Sequence, residues 1–169
     1  ASVSSESKPL DKATTKNLDA LRAFSLAPAY NAGNLKEALA LEQQAVALDP
    51  DFALAHTTIA AVYYSVGDYT AAQREIDLAG KNRDRLSARD ALYVDAWKSQ
   101  FGPPLIAMGK WKALARLYPD FPLANGSLGF YSWQQNFFED ALQAVKNSVT
   151  PGTSHLGWQE SMFGILYLG

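Results

Sequence analysis

The side chains best suited to metal binding or proton transfer are His56, His155 and three aspartates, Asp84, Asp90 and Asp95. The two histidines stand far apart, and neither is flanked by further ligands at the spacing a metal site needs. Asp90 and Asp95 are five residues apart, a poor match to a single helix face, so capping and solvation account for them better than an acid pair. Cysteine is absent, which removes disulfides, thiolate zinc sites and a thiol nucleophile together. There is no phosphate-cradling glycine loop, nucleophile elbow or zinc-protease motif. The expectation is a chain that is not an enzyme, with no catalytic residue, no metal and no cofactor. Lys81, Arg83 and Arg85 cluster where a helix should end, and the helix dipole explains them.

Composition narrows the classes further. Apolar residues make up 48% and charged residues 19% of 169 residues, enough for a real core and too apolar for a disordered tail. A formal net charge of -2 speaks against a nucleic-acid partner, because such domains are usually basic. No apolar run approaches the roughly 20 residues of a membrane helix, so no membrane contact is expected from this segment itself. The opening ASVSSESKP has neither a basic nor an apolar region of the kind an intact signal peptide carries. The chain stops at Gly169 in the middle of an apolar helical pattern, which reads as a piece of a longer protein.

The elements that must carry any site repeat. With a shift of 34 residues, Gly33 falls on Gly67, Leu35 on Tyr69, Ala38 on Ala72 and Ala45 on Ala79, a period that predicts stacked helix pairs. Residues 1–16 read as a linker and 17–169 as one repeat domain, with units near 19–52, 53–86, 87–121 and 122–152 and a half-repeat at 155–169. Asn34 with Glu37 reads as a capping box, and Asp68, Ser87 and Asn136 as caps. Leu35, Leu39, Val46 and Leu48 are expected to line the buried face of the first unit's second helix. Ile76 and Leu78 serve in the second unit, Ala107, Trp111, Leu114 and Leu117 in the third, and Phe138, Ala141, Leu142 and Val145 in the fourth. Asp49-Pro50 and Tyr118-Pro119 stop helices, since proline has no N–H to continue them.

These residues resemble the tetratricopeptide repeat family. Leu128-Gly129 and Trp158 match its first-helix positions, Ala38, Ala72, Ala107 and Ala141 its small residue, and Pro50 and Pro119 its closing proline. The resemblance implies an all-α, right-handed superhelical solenoid of antiparallel helix pairs. Three departures stand out: Pro28 falls inside a first helix, Glu42 takes a position that is usually a buried aromatic, and Arg22 and His56 take aromatic positions. Repeat one is therefore expected to be distorted. The lead-in from Pro9 and the segment from Asp84 to Ala96 also resemble repeat regions of large bacterial signalling proteins. In those, a serine/threonine kinase or nucleotide cyclase domain precedes a membrane span and the repeats. That likeness implies an extracytoplasmic sensory or docking segment, with a cytoplasmic adaptor as the alternative.

The family's concave groove implies a site built from first helices. Carried over, its positions are Ala23, Ala27, Tyr30 and Asn31, then Thr57, Ala61, Tyr64 and Ser65, then Phe130, Trp133 and Gln134, with Lys98, Ser99 and Gln100 near the groove end of repeat three. Tyr30, Asn31, Tyr64, Phe130, Trp133 and Gln134 are the expected contacts of a protein or peptide partner, an uncharged surface suited to stacking and hydrogen bonding. Ala23, Ala27 and Thr58 stand where relatives that grip acidic chaperone tails have a cationic clamp, so no such tail is expected to bind. Tyr63, Trp97 and Trp111 are expected to pack between helices. A second reading is self-assembly, a homo-oligomer formed through the apolar residues 155–169.

Overall fold

The computed structural model describes residues 15–27 and 34–149, so Pro28, Tyr30, Asn31, His155 and the expected half-repeat lie outside the described residues. Every regular element among the described residues is helical. They are α1 (Leu18–Leu26), α2 (Leu35–Leu48), α3 (Ala53–Ser65), α4 (Tyr69–Lys81), α5 (Ala88–Ser99), α6 (Pro104–Leu117), α7 (Pro122–Gln134) and α8 (Phe138–Ser148), with a short 3-10 turn at Arg83–Arg85. The fold class is the expected one, an all-α repeat of helix pairs joined by tight turns. The chain forms two compact units that meet in sequence at Val94 and Asp95, within α5.

In the first unit α1 packs on α2, α2 on α3 and α3 on α4. Asn17 caps α1, its side-chain oxygen accepting from the amides of Asp19 and Ala20 at 3.0 and 3.1 Å. The helix ends at Leu26, and Ala27 is extended (φ -64°, ψ 126°). That is the conformation a following proline imposes, and Pro28 is next in sequence. Ala20, Ala23, Ala45, Phe52 and Ala55 form a cluster with small side chains at most contacts, and the Phe24 and Phe52 rings close it at 4.9 Å. The α3–α4 turn needs a left-handed residue, supplied by Gly67 at φ +83°. Asp68 then caps α4, its carboxylate accepting from the Ala71 amide at 3.0 Å.

The second unit has the same grammar. Pro104 and Pro122 sit in the first turns of α6 and α7, where a missing N–H costs nothing. Trp111 and Leu114 are fully buried, and Trp97 meets Trp111 edge-on at 6.2 Å. Gly129 permits the tightest approach. A Cβ there would stand 2.6 Å from Val145 Cγ2 on α8. The expected packing roles of Trp97 and Trp111 hold, while Tyr63 in the first unit is only half-buried.

Several expectations are corrected. Asn136 does not cap α8. It adopts φ +63° in the α7–α8 turn, the role Gly67 has in the other unit, and asparagine tolerates that region because its side chain is short and polar. Phe137 then holds the cap position and offers no side-chain bond. The Asn34 side chain bonds the Glu37 carboxylate rather than a backbone amide, so no capping box forms. Leu48, Leu117 and Phe138 are exposed by 40%, 62% and 52%, not buried. Leu48 lies two and a half turns from Leu39, on the other side of α2, while Leu117 ends α6 and Phe138 begins α8. In α2 the fully buried stripe is Ala38, Glu42 and Ala45, with Leu35, Leu39 and Val46 half-buried at its margins.

Glu42 is thus a carboxyl in the interior. It is 2% exposed, Oε2 has no hydrogen-bond partner, and burial pushes its pKa up to about 8. α2 remains a regular helix around it, so the irregularity of repeat one among the described residues is the early end of α1 at Leu26, not a break at Glu42. Its folded pKa lies above its unfolded one, so its contribution is fully present below about pH 4.5 and is lost as pH rises through about 8. Raising the pH from 6 to 9 should therefore destabilise the first unit by up to about 3 kcal/mol. Glu42→Gln should remove that part of the slope in pH-dependent urea denaturation. In the second unit Gly129→Ala should cost about 1–3 kcal/mol, and Val145→Ala in the same chain should recover part of it.

Candidate functional site

The expected contact residues fall into separate places. In the second unit, Phe130, Trp133 and Gln134 share one face of α7, as residues three and four apart on a helix must. Phe130 and Trp133 are half-buried, with ring centroids 6.3 Å apart and planes inclined at 41°, and Gln134 beside them is exposed. Behind them Tyr131 is 4% exposed and meets Phe130 edge-on at 5.6 Å. The opposite face of α7 is anchored by Ala124, Asn125, Gly129 and Ser132, all buried. Phe130 is therefore held from behind and from the side, a rigid aromatic ledge rather than a loose side chain. No residue of α7 carries a charge.

In the first unit Tyr64 is half-buried at the end of α3, and its ring meets Tyr69 edge-on at 5.1 Å. Ser65 beside Tyr64 is exposed and Ala27 half-buried, but three other carried-over groove positions of this unit do not line a surface. Ala23, Thr57 and Ala61 are 5%, 0% and 1% exposed, because small side chains at these points let neighbouring helices close on them. Thr57 satisfies its hydroxyl by donating to the Ala53 carbonyl at 2.8 Å, and Ser65 donates to Val62 at 2.7 Å. Tyr30 and Asn31 lie outside the described residues. The polar hollow between Lys16, Asn17, Leu48, Asp49 and Arg85 is shallow and already spoken for. Asn17 Nδ2 donates to the Leu48 carbonyl at 2.9 Å, and Asn82 and Arg85 donate to Asp51 at 3.0 and 3.5 Å. Arg85 thus has a carboxylate partner beyond the helix dipole. Among the described residues no three His, Asp or Glu side chains converge as metal ligands. None of the helices among them is long and apolar enough to cross a membrane.

Two polar ties escaped the sequence reading. His56, 6% exposed, has Nε2 at 2.9 Å from the Pro50 carbonyl and Nδ1 at 2.7 Å from Glu75 on α4. Asn125, the residue 69 positions later, donates from Nδ2 to the Pro119 carbonyl at 3.1 Å and the Phe121 carbonyl at 3.4 Å. Pro50 and Pro119 are themselves 69 apart. Each tie therefore fastens the first turn of a helix to the proline turn before it. The signal was present in the register, but a histidine and an asparagine do not look alike until their common acceptor is seen.

No protein-family model matches the sequence, and no curated protein matches it. Among solved structures, the chain is similar to YrrB, described as a TPR protein with an unusual peptide-binding site, at 20% identity over 95% of this chain and 83% of that one, with a TM-score of 0.46. It is also similar to MamA at 16% identity over 92% and 87%, with a TM-score of 0.45. Scores at this level leave the fold to be read from the helix pairs themselves.

Asn125→Ala should cost about 0.5–1.5 kcal/mol, since it removes a part-buried hydrogen bond to the Pro119 carbonyl. Asn125→His, which restores a donor of the kind used at His56, should recover part of that loss in chemical denaturation.

Proposed function

We propose that this chain is a peptide- or protein-binding repeat module, not an enzyme, and that α7 supplies its principal contact. The observation that carries this reading is the half-exposed Phe130–Trp133 pair beside exposed Gln134 on a helix free of charge. Two rings fixed at an incline present an apolar cleft edge, and the neighbouring amide offers both a donor and an acceptor. Such a surface takes an extended or helical segment through an apolar anchor and one or two amide bonds. Tyr64 at the end of α3 is the corresponding residue in the first unit, 69 positions before Trp133, and serves as that unit's own aromatic contact. Tyr30 and Asn31 extend the contact set in repeat one.

The wider setting we infer is the sensory or scaffolding part of a larger bacterial signalling protein. Its support is the likeness of the lead-in from Pro9 and of the Asp84–Ala96 segment to repeat regions of membrane-bound kinases and cyclases.

Selection of a random peptide display library on the purified chain tests the binding reading directly. Enriched peptides should carry an aromatic or aliphatic anchor and bind almost equally at low and high salt, because no charge on α7 is screened. Trp133→Ala should weaken them about 10-fold or more while leaving helical circular dichroism unchanged. A Trp133→Ala chain that unfolds places Trp133 in the core instead. Binders that ignore the substitution remove α7 from the site.

A further inference from the structure

In the second unit α6 turns an apolar face outward between cations. Leu105 and Leu117 are 57% and 62% exposed, and Ile106 is 57% exposed. Leu105, Gly109, Ala113 and Leu117 follow one another at intervals of four, so they form one ridge along the helix, exposed throughout. The opposite face, with Ala107, Trp111 and Leu114, is the buried one. Single exposed leucines are ordinary, but an unbroken apolar ridge is not. Lys110 stands on one side of it and Lys112 and Arg116 on the other, and α6 has no acidic residue. Lys112 is paired with Asp140 of α8 at 3.1 Å, whereas Lys110 and Arg116 make no hydrogen bond or ion pair among the described residues. Arg116 complements the C-terminus of its own helix, but Lys110 lies well before the last turn, out of reach of that effect.

We propose that this face of α6 is a second docking surface, and that it takes an amphipathic helix of a protein partner whose apolar stripe is flanked by Glu or Asp. The unpaired cations on both sides of the ridge set the sign of the partner's flanks. Gly109 indicates its shape. A glycine inside a helix is destabilising relative to alanine, and nothing within the chain asks for this one, since an added Cβ would meet no atom within 4 Å. Gly129, by contrast, is required by Val145. The ridge is therefore high at Leu105 and Leu117 and low at Gly109 and Ala113, a saddle whose floor is backbone. A lipid surface gains nothing from such a saddle, whereas a crossing helix can come close over its floor and interdigitate with the leucines. A second copy is disfavoured, because two α6 faces laid together would bring Lys110 and Arg116 of each onto those of the other. The surface is separate from the α7 ledge and stands independently of the reading given to it.

The probe is a display library of helical hairpins with a fixed Leu–Ala stripe and Glu, Gln and Lys randomised on its flanks, selected on the full chain. Enriched hairpins should carry Glu on both flanks and lose about 10-fold in affinity from low to high salt. Gly109→Leu should weaken them about 10-fold or more while raising the Tm by on the order of 2–4 °C, so that lost binding is not lost folding. Lys110→Glu combined with Arg116→Glu should switch the selected flanks from Glu to Lys. Trp133→Ala should leave these hairpins bound, which separates failure of this surface from failure of the α7 site. A selection that enriches nothing, flanks without a charge preference, or hairpins that bind Gly109→Leu as tightly as the parent chain overturn the proposal. So does a chain that passes over the hairpins and sediments with phosphatidylserine vesicles, or a dimer that Gly109→Leu dissociates, since the face then serves a membrane or a second copy.

Discussion

Everything in this molecule depends on how closely its helices approach. Ala38, Ala72, Ala107 and Ala141 hold the same position in the second helices of successive repeats, and each is completely buried. An alanine contributes little apolar area. What it contributes is the absence of bulk, so that backbones can close to a distance at which larger neighbours interdigitate. Gly129 takes the same logic to its limit against Val145. Once those contacts are made, the large side chains have few places to go. Trp111, Phe52, Ile76 and Leu114 fill the remaining interior together with Tyr93, Trp97 and Tyr131, while Tyr64, Phe130, Trp133 and Phe138 lie at helix ends and flanks.

The surface chemistry follows from that sorting. Phe130 and Trp133 lie on the flank of α7 because its buried face is given over to Ala124, Asn125, Gly129 and Ser132. Close packing also leaves polar atoms in the interior, and the chain treats them in different ways. Thr57 bonds back to its own helix, and His56 and Asn125 bond the proline turns. Glu42 is left with an unpaired oxygen and stays tolerable because burial keeps it protonated. The interior of the first unit therefore answers to pH through Glu42, which favours the acid side.

The pattern of glycine, alanine and proline was enough to place the helix pairs, their turns and the small-residue contacts, because each of those types acts through its own backbone or its lack of bulk. Gly67, Asp68, Ser87 and Pro50 do what their identities dictate wherever they stand in such a repeat. The leucines were less legible. Leu48 stands nine residues, two and a half turns, after Leu39 and so on the other side of α2, and it is exposed where Leu39 is half-buried. Asn136 was misread for a related reason: asparagine caps helices and also adopts left-handed turns, and only the chain path selects between the two.

What the sequence determined by itself was the unit: two helices, a tight turn, a proline stop and an uncharged α7 that can present aromatic groups. These are local properties, set by residue type and period. Tertiary structure alone decided which side chains meet across helices. It put Glu42 where water cannot reach, set His56 between two acceptors, and turned Ala23, Thr57 and Ala61 from expected lining into core. The physical reason is that burial and hydrogen-bond partnership are properties of pairs of elements. A periodic sequence specifies each element far better than it specifies the atoms that will face it.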